Sequence, residues 1–325
     1  MMYLQVAAGL VILLVCGELL VRGAVALAEQ FGVPKLVIGF TIIAFGTSAP
    51  ELVVCIEAAI KGVPEIAIGN VVGSNIANIL LVMGVPALIY PLTCDNKSAL
   101  RDCVIMIFGS FVFCILAWIG TISYLQGAIL VILLGLVIFM AYRRAKKSGD
   151  QSADEALEEY EQNMPKSAWV SGLFVLMGII GLAIGSRFLI DGSVAIATAA
   201  GVSPEIIGLT LVALGTSLPE LATSVIAAFR RHGDVAIGNV LGSNLFNITG
   251  IIGVTALIKP LNAPEQILHF DLIIMLAASV ILVPIFLTQK PVGRILGAVF
   301  CAAYLAYVYA QFNGMSGVYS VAMMQ

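Results

Sequence analysis

Charge is scarce in this sequence: only 11% of its 325 residues are Asp, Glu, Lys or Arg, against about a quarter in an ordinary soluble domain. Apolar residues make up 60% of the chain and the mean hydropathy is +1.06, which excludes a water-soluble enzyme. Disorder is excluded as well, because a disordered chain is poor in apolar residues and rich in charge. With 16 Lys+Arg against 19 Asp+Glu there is no basic stripe for a nucleic acid to follow. Histidine is limited to His232 and His269, each at the edge of an apolar run, which suits an interfacial position. Of the six cysteines, Cys16, Cys55, Cys114 and Cys301 lie within long apolar runs and none forms a C-x-x-C pair, so small core- or lipid-facing roles are expected rather than disulfides or metal ligation. The opening Met-Met-Tyr-Leu-Gln carries no Lys or Arg, so no cleaved signal peptide is expected. What remains is a polytopic membrane protein.

A spanning helix needs about 20 mainly apolar residues. That length divides the chain into ten expected helices, at about 4–28, 36–60, 65–90, 103–119, 124–142, 169–190, 204–229, 234–258, 271–288 and 293–312. The one long polar stretch, 143–168, separates the fifth from the sixth. It starts with Arg143, Arg144, Lys146 and Lys147 and continues into the acidic run Asp154–Glu161, as a solvated linker would. With the linker in the cytoplasm, Lys61, Arg187 and Lys259 are the only Lys and Arg left on the opposite side. The excess of positive charge therefore puts the linker inside and both termini outside.

The two halves repeat each other. Gly46-Thr-Ser-Ala-Pro-Glu51 returns as Gly215-Thr-Ser-Leu-Pro-Glu220, and Gly69-Asn-Val-Val-Gly-Ser-Asn75 as Gly238-Asn-Val-Leu-Gly-Ser-Asn244, both offset by 169 positions. Five expected spans separate an element from its copy, and five is odd, so the copies must cross the membrane in opposite directions. The expected fold is all-α: two inverted five-helix repeats, 1–142 and 169–325, joined by the linker. Inverted repeats place transport sites near the midplane and favour alternating access.

Glu51 and Glu220 sit inside apolar spans with no Lys or Arg within a helical turn. A carboxylate in that setting marks an ion path. Thr47 and Ser48 accompany Glu51, and Thr216 and Ser217 accompany Glu220; Pro50 and Pro219 are expected to free carbonyls at 44–47 and 213–216. Ser74 with Asn78, and Ser243 with Asn247, are spaced i, i+4, beside the G-x-x-x-G pairs Gly69/Gly73 and Gly238/Gly242, which permit close helix approach. Carboxylates, hydroxyls, amides and carbonyls suit Ca²⁺ or Na⁺ and disfavour Zn²⁺ or copper. Two further pairs, Glu18/Arg22 and Arg187/Asp191, read as i, i+4 ion pairs that neutralise themselves near helix ends. Glu57 has no acidic copy, Ile226 standing in its place, and carries no functional weight.

At these doubled motifs the sequence strongly resembles the Ca²⁺/cation antiporter superfamily, and within it the prokaryotic sodium/calcium exchangers. The resemblance implies a secondary antiporter that uses the Na⁺ gradient to extrude Ca²⁺ by electrogenic exchange, with no cofactor and no protein partner. It implies Ca²⁺ ligation by Glu51 and Glu220 with Thr47 and Thr216. It also implies Na⁺ sites from Ala44, Thr47, Ser48, Glu51 and Ser74 and from Ala213, Thr216, Ser217, Glu220 and Ser243. Asn78 and Asn247 would complete the middle of the site. The resemblance further implies that the first and sixth helices slide against the other eight, and that the chain resides in a bacterial inner membrane. Potassium-dependent members carry Asp where Asn247 stands, so potassium co-transport is not expected. The linker is too short for the calcium-binding regulatory domains of animal exchangers. The alternative is H⁺/Ca²⁺ or other cation exchange, since paired glutamates also carry protons. A channel is disfavoured because filters form as rings across subunits, and an enzyme because no nucleophile or metal-ligand set accompanies the glutamates.

Overall fold

With no water in the hydrocarbon core, each backbone N–H and C=O must be satisfied within its own segment, and the computed structural model accordingly contains helices and no strand among its described residues, 1–31, 48–93, 96–148, 165, 167–288 and 290–313. The helices are α1 (Met2–Gln30), α2 (Ala49–Ile60), α3 (Pro64–Ile89), α4 (Asn96–Ile119), α5 (Tyr124–Ser148), α6 (Ala168–Ala200), α7 (Pro204–Thr216), α8 (Leu218–Phe229), α9 (Gly233–Ile258), α10 (Ile267–Leu287) and α11 (Arg294–Asn313). Eight are long and apolar enough to cross a membrane, and α7 with α8, bent by 44° at Ser217, makes a ninth such unit. The expected second span, 36–60, is described only from Ser48 onward.

Several helices outrun the expected spans. α6 continues past its expected end at Ile190 through Asp191 and stops at Gly201, whose φ of 64° gives the left-handed C-terminal turn that a Cβ disfavours. Apolar length measures the part in hydrocarbon; the helix itself runs on until a residue breaks it.

Connections gather on two opposite faces. On the first, Gly192 packs on Met2, Gly62 lies near the Lys259 ammonium, and Ile122 and Leu261 exchange backbone hydrogen bonds of 2.8 and 3.1 Å. On the second, Gly233 packs on Thr93, Leu92 and Val292 exchange bonds of 3.0 and 2.9 Å, and Arg294 donates to the Ile89 carbonyl. α3 therefore leaves the first face and reaches the second, while α9 makes the reverse journey. Lys61, Arg187 and Lys259, the cations set apart by sequence, come together on the first face.

α3 and α9 form the enclosed centre, with 78% and 72% of their apolar windows buried. α1 and α6 lie antiparallel along each other at the side. Glycines bring their backbones together: a Cβ on Gly9 would fall 2.6 Å from the Leu189 nitrogen, so Gly9 is required by the approach and not by its own conformation. Outward-facing Val11, Phe108, Leu125, Phe139, Ile180 and Leu305 supply the apolar surface a bilayer solvates.

Two of the four ion-pair residues depart from expectation. Glu18 and Arg22 do pair with each other, at 2.5 Å. Arg187 and Asp191 do not: Arg187 reaches Glu57 at 3.5 Å, Asp191 pairs with Lys61, and Lys61 also lies 3.5 Å from Glu57. Glu57, given no weight from sequence, is thus the hub of a network tying α6 to the end of α2. A local i, i+4 rule has no access to a partner brought close by tertiary packing.

Candidate cation site

α2 and α8 begin alike. Each starts after a serine, Ser48 or Ser217, with matching backbone angles (φ −93°, ψ 10° and φ −81°, ψ 5°), and each has proline in its first turn. Pro219 has no N–H to give Gly215, so the chain bends there. The same turn brings Glu51 and Glu220 to the N-termini of α2 and α8, where the helix dipole favours negative charge. Each glutamate is 1% exposed. No Lys or Arg among the described residues pairs with either of them.

The hydroxyls serve the opposite copy. Ser48 donates to Glu220 Oε1 at 3.0 Å, and the Thr216 hydroxyl donates to Asn70 Oδ1 at 3.1 Å. The two motifs thus interlock, with Ser48 of the first copy serving the carboxylate of the second. Ala213 keeps its carbonyl occupied by the Ser217 N–H at 3.0 Å, so this one of the carbonyls expected to be freed is not; Ser74 approaches it at 3.5 Å. Ala44 and Thr47 lie outside the described residues.

Four asparagines close the centre. Asn75 and Asn244 each donate to the other's backbone carbonyl at 3.2 Å; Asn78 donates to Asn244 Oδ1 and Asn247 to Asn75 Oδ1, both at 3.0 Å. With their amide nitrogens spent, Asn78 and Asn247 keep their Oδ1 atoms free. Both residues also open π turns, Asn78–Val82 and Asn247–Ile251, a helix irregularity frequent at functional sites.

Around these side chains the buried oxygens left without a hydrogen-bond partner include Glu51 Oε2, Glu220 Oε2, Asn78 Oδ1 and Asn247 Oδ1, with the Ser217 hydroxyl three residues before Glu220. Acceptor atoms stranded in a dry interior are costly unless something positive meets them. The donor set is all oxygen and carries two carboxylates, the chemistry of a hard cation. Gly69 and Gly73 allow α7 to pack against α3: Cβ atoms there would fall 2.7 Å from the Glu205 carbonyl oxygen and 2.3 Å from that of Leu209. Ser243, like Ser74, is buried on the wall.

Residues 1–143 and 170–313 match the sodium/calcium exchanger protein family, leaving out only the linker and the last residues. The chain belongs to that family. It is 33% identical over 313 residues to the putative antiporter CaxA of Alkalimonas amylolytica, across 95% of this chain and 98% of that one. It is 32% identical over 343 residues to the sodium/calcium exchanger MaX1 of Methanosarcina acetivorans, across 95% and 98%. The solved structure of the sodium-calcium exchanger NCX_Mj soaked with Na⁺ and Ca²⁺ superimposes with a TM-score of 0.64 at 32% identity, over 95% of this chain and 98% of that one. As a member of the sodium/calcium exchanger family the chain is an integral membrane protein.

Asn70, Asn75 and Asn244 were given no role by sequence reasoning. The signal was present: all three lie in the duplicated G-N-V-x-G-S-N motif. The copy of Asn70 is Asn239, and each reaches the same position of the neighbouring helix, Asn70 donating to the Cys55 sulfur at 3.3 Å and Asn239 to the Ser224 hydroxyl at 3.0 Å.

Proposed function

We propose that this protein is a secondary antiporter that exchanges Na⁺ for Ca²⁺ by alternating access, extruding Ca²⁺ down the energy of the Na⁺ gradient. The observation that carries this reading is the set of four donorless oxygens, Glu51 Oε2, Glu220 Oε2, Asn78 Oδ1 and Asn247 Oδ1, buried between helices of both halves. Two carboxylates balance one Ca²⁺ or two Na⁺, so either ion displaces the other without leaving the interior charged. Glu51 and Glu220 with Thr47 and Thr216 hold Ca²⁺. Ala44, Thr47, Ser48 and Ser74, and Ala213, Thr216, Ser217 and Ser243, share the glutamates in binding Na⁺. Asn78 and Asn247 line the middle. The names of MaX1 and NCX_Mj as sodium/calcium exchangers support the choice of ions.

In this reading ten spans form two inverted five-helix repeats, 1–142 and 169–325, joined by the linker 143–168. The opposite courses of α3 and α9 and the matched starts of α2 and α8 after Ser48 and Ser217 support it. The pair α1 and α6 slides against the rest. Lys61, Arg187 and Lys259 on one face favour that face as the outside of a bacterial inner membrane, with the linker in the cytoplasm.

The test is ⁴⁵Ca²⁺ uptake into proteoliposomes holding the purified protein, loaded with Na⁺ and diluted into Na⁺-free buffer, with a pH gradient in parallel. Uptake requiring internal Na⁺ is expected. Uptake driven by the pH gradient alone would keep the glutamate pair and transfer the coupling role to protons.

A further inference from the structure

A second buried carboxyl lies away from this site. Asp271 closes a π turn, Ile267–Asp271, in α10, and has no exposed surface. Its Oδ1 accepts from the Tyr307 hydroxyl at 2.9 Å and from Gln311 Nε2 at 2.5 Å, both on α11. Gln266 donates to Gln311 Oε1 at 3.1 Å, which fixes the amide with its nitrogen toward the carboxyl. Oδ2 has no donor, and the hydroxyl of Tyr304, on the same face of α11 as Tyr307, is buried and likewise unpartnered.

The duplication makes this arrangement conspicuous. The copy of Asp271 in the first half is Asp102, which is half-exposed and paired with Arg101 at 2.9 Å. Phe270 stands where Arg101 would be. By the alignment of the Ile122 and Val292 bridges, Tyr304, Tyr307 and Gln311 correspond to Leu134, Val137 and Ala141. The π turn has no counterpart either, since Asn96–Ile119 is α-helical throughout. The second half has gained a sealed carboxyl with neutral partners where the first half keeps an ordinary ion pair.

Around Asp271, α11 contributes Tyr304, Tyr307 and Gln311. α7 contributes Glu205, a like charge. α3 runs parallel to α10, with Asn75 meeting the Met275 sulfur, and carries Glu65 in its first turn. α4 runs antiparallel, with Cys103 against the Ser279 carbonyl and Trp118 edge-on to His269. No Lys or Arg among the described residues pairs with Asp271.

A buried carboxylate without a cation must acquire one or be neutral. Ca²⁺ takes about six or more oxygens, whereas only Oδ2 and one tyrosine hydroxyl remain unspent here. A proton needs one oxygen. We propose that Asp271 is a proton-binding site, separate from the central glutamate pair, with the proton on Oδ2. It holds α10 to α11 beside that centre: Met275, one turn on, contacts Asn75, and α11 packs along the π turn opened by Asn78. Loss of the proton leaves an uncompensated anion between the two helices, so exchange falls as pH rises through this titration. The site rests on the packing of α10 and α11 and not on which ions are exchanged.

The test is infrared difference spectroscopy of the reconstituted protein between acid and alkaline pH. A carboxylic-acid carbonyl band lost at alkaline pH is expected to vanish in Asp271→Asn, shift in Tyr307→Phe, and survive in Glu51→Gln and Glu220→Gln. Tyr307→Phe keeps the test decisive should Asp271→Asn misfold. Na⁺-driven Ca²⁺ uptake at stepped pH is expected to lose its alkaline decline in Asp271→Asn. An identical set of titrating bands in wild type, Asp271→Asn and Tyr307→Phe overturns the site. A band removed by Na⁺ at fixed pH makes it a sodium site instead, and an unchanged uptake profile in Asp271→Asn overturns the link to transport.

Discussion

Asn75 and Asn244, 169 positions apart, hold each other at the centre of the bundle, each side-chain amide donating to the other's backbone carbonyl at 3.2 Å. Their own oxygens receive Asn247 and Asn78 in turn, so the crossing fixes which atoms of the latter pair face the cation site. Asn244→Ala removes one of the donors to the Asn75 carbonyl and leaves the buried Asn78 amide without its acceptor. Each buried polar group left unpaired costs about 1–3 kcal/mol, so a loss of roughly 2 kcal/mol or more is expected in thermal or denaturant unfolding. The change should also weaken Ca²⁺ binding through Asn78. A fall below about 0.5 kcal/mol, the scatter of ordinary surface changes, would mean that the crossing is not a structural tie.

Much of the site was legible because the sequence writes it twice. The two glutamates, Ser48, Ser74, Ser217, Ser243, Asn78 and Asn247, all singled out by the 169-residue repeat, are buried. What escaped was the crossing between copies. Closeness in sequence sets Ser48 beside Glu51, whereas Ser48 serves Glu220 of the other half, a partner that only the packing of the two halves brings near. Asp271 escaped for a related reason: its burial depends on Tyr307 and Gln311 arriving from α11. The helix ends past Ala28 and Ile190 were missed because apolarity stops at the membrane while helical hydrogen bonding does not.

The ion-pair network of Glu57, Lys61, Arg187 and Asp191 joins α6 to α2. In the proposed cycle α6 slides, so these contacts break on each turnover. Lys61→Met is expected to speed exchange while changing unfolding free energy by no more than about 1 kcal/mol, since partly exposed ion pairs contribute little. The reversed pair Lys61→Asp with Asp191→Lys should return the rate toward wild type. Equal initial rates of Na⁺-driven uptake in wild type and Lys61→Met would show that the network does not restrain the motion.

Asn247→Asp adds a third carboxylate at a position whose Oδ1 has no donor. The aspartate cannot make the donation that Asn247 gives Asn75 Oδ1 at 3.0 Å, so two acceptors would face each other there. The added charge favours divalent over monovalent occupancy, while the lost bond loosens the crossing. Tighter Ca²⁺ binding with weaker displacement by Na⁺ is expected from competition measurements on the purified protein. Unchanged ion dependence would make the position peripheral to the site.

Glu51 and Glu220 repel each other across a buried centre in which neither pairs with a Lys or Arg among the described residues. Replacing one by glutamine keeps the shape, removes half of the charge that balances Ca²⁺ and relieves that repulsion. The two consequences have opposite signs. Glu51→Gln or Glu220→Gln is expected to abolish Na⁺-driven Ca²⁺ uptake, yet to leave the cation-free protein folded and at least as stable as wild type in thermal unfolding. Added Ca²⁺ should raise the melting temperature of the wild type and fail to raise that of either variant, because a ligand stabilises only the state that binds it. Loss of uptake together with collapse of the cation-free fold would assign the glutamates a structural role, and wild-type uptake in either variant would remove it from the transport site.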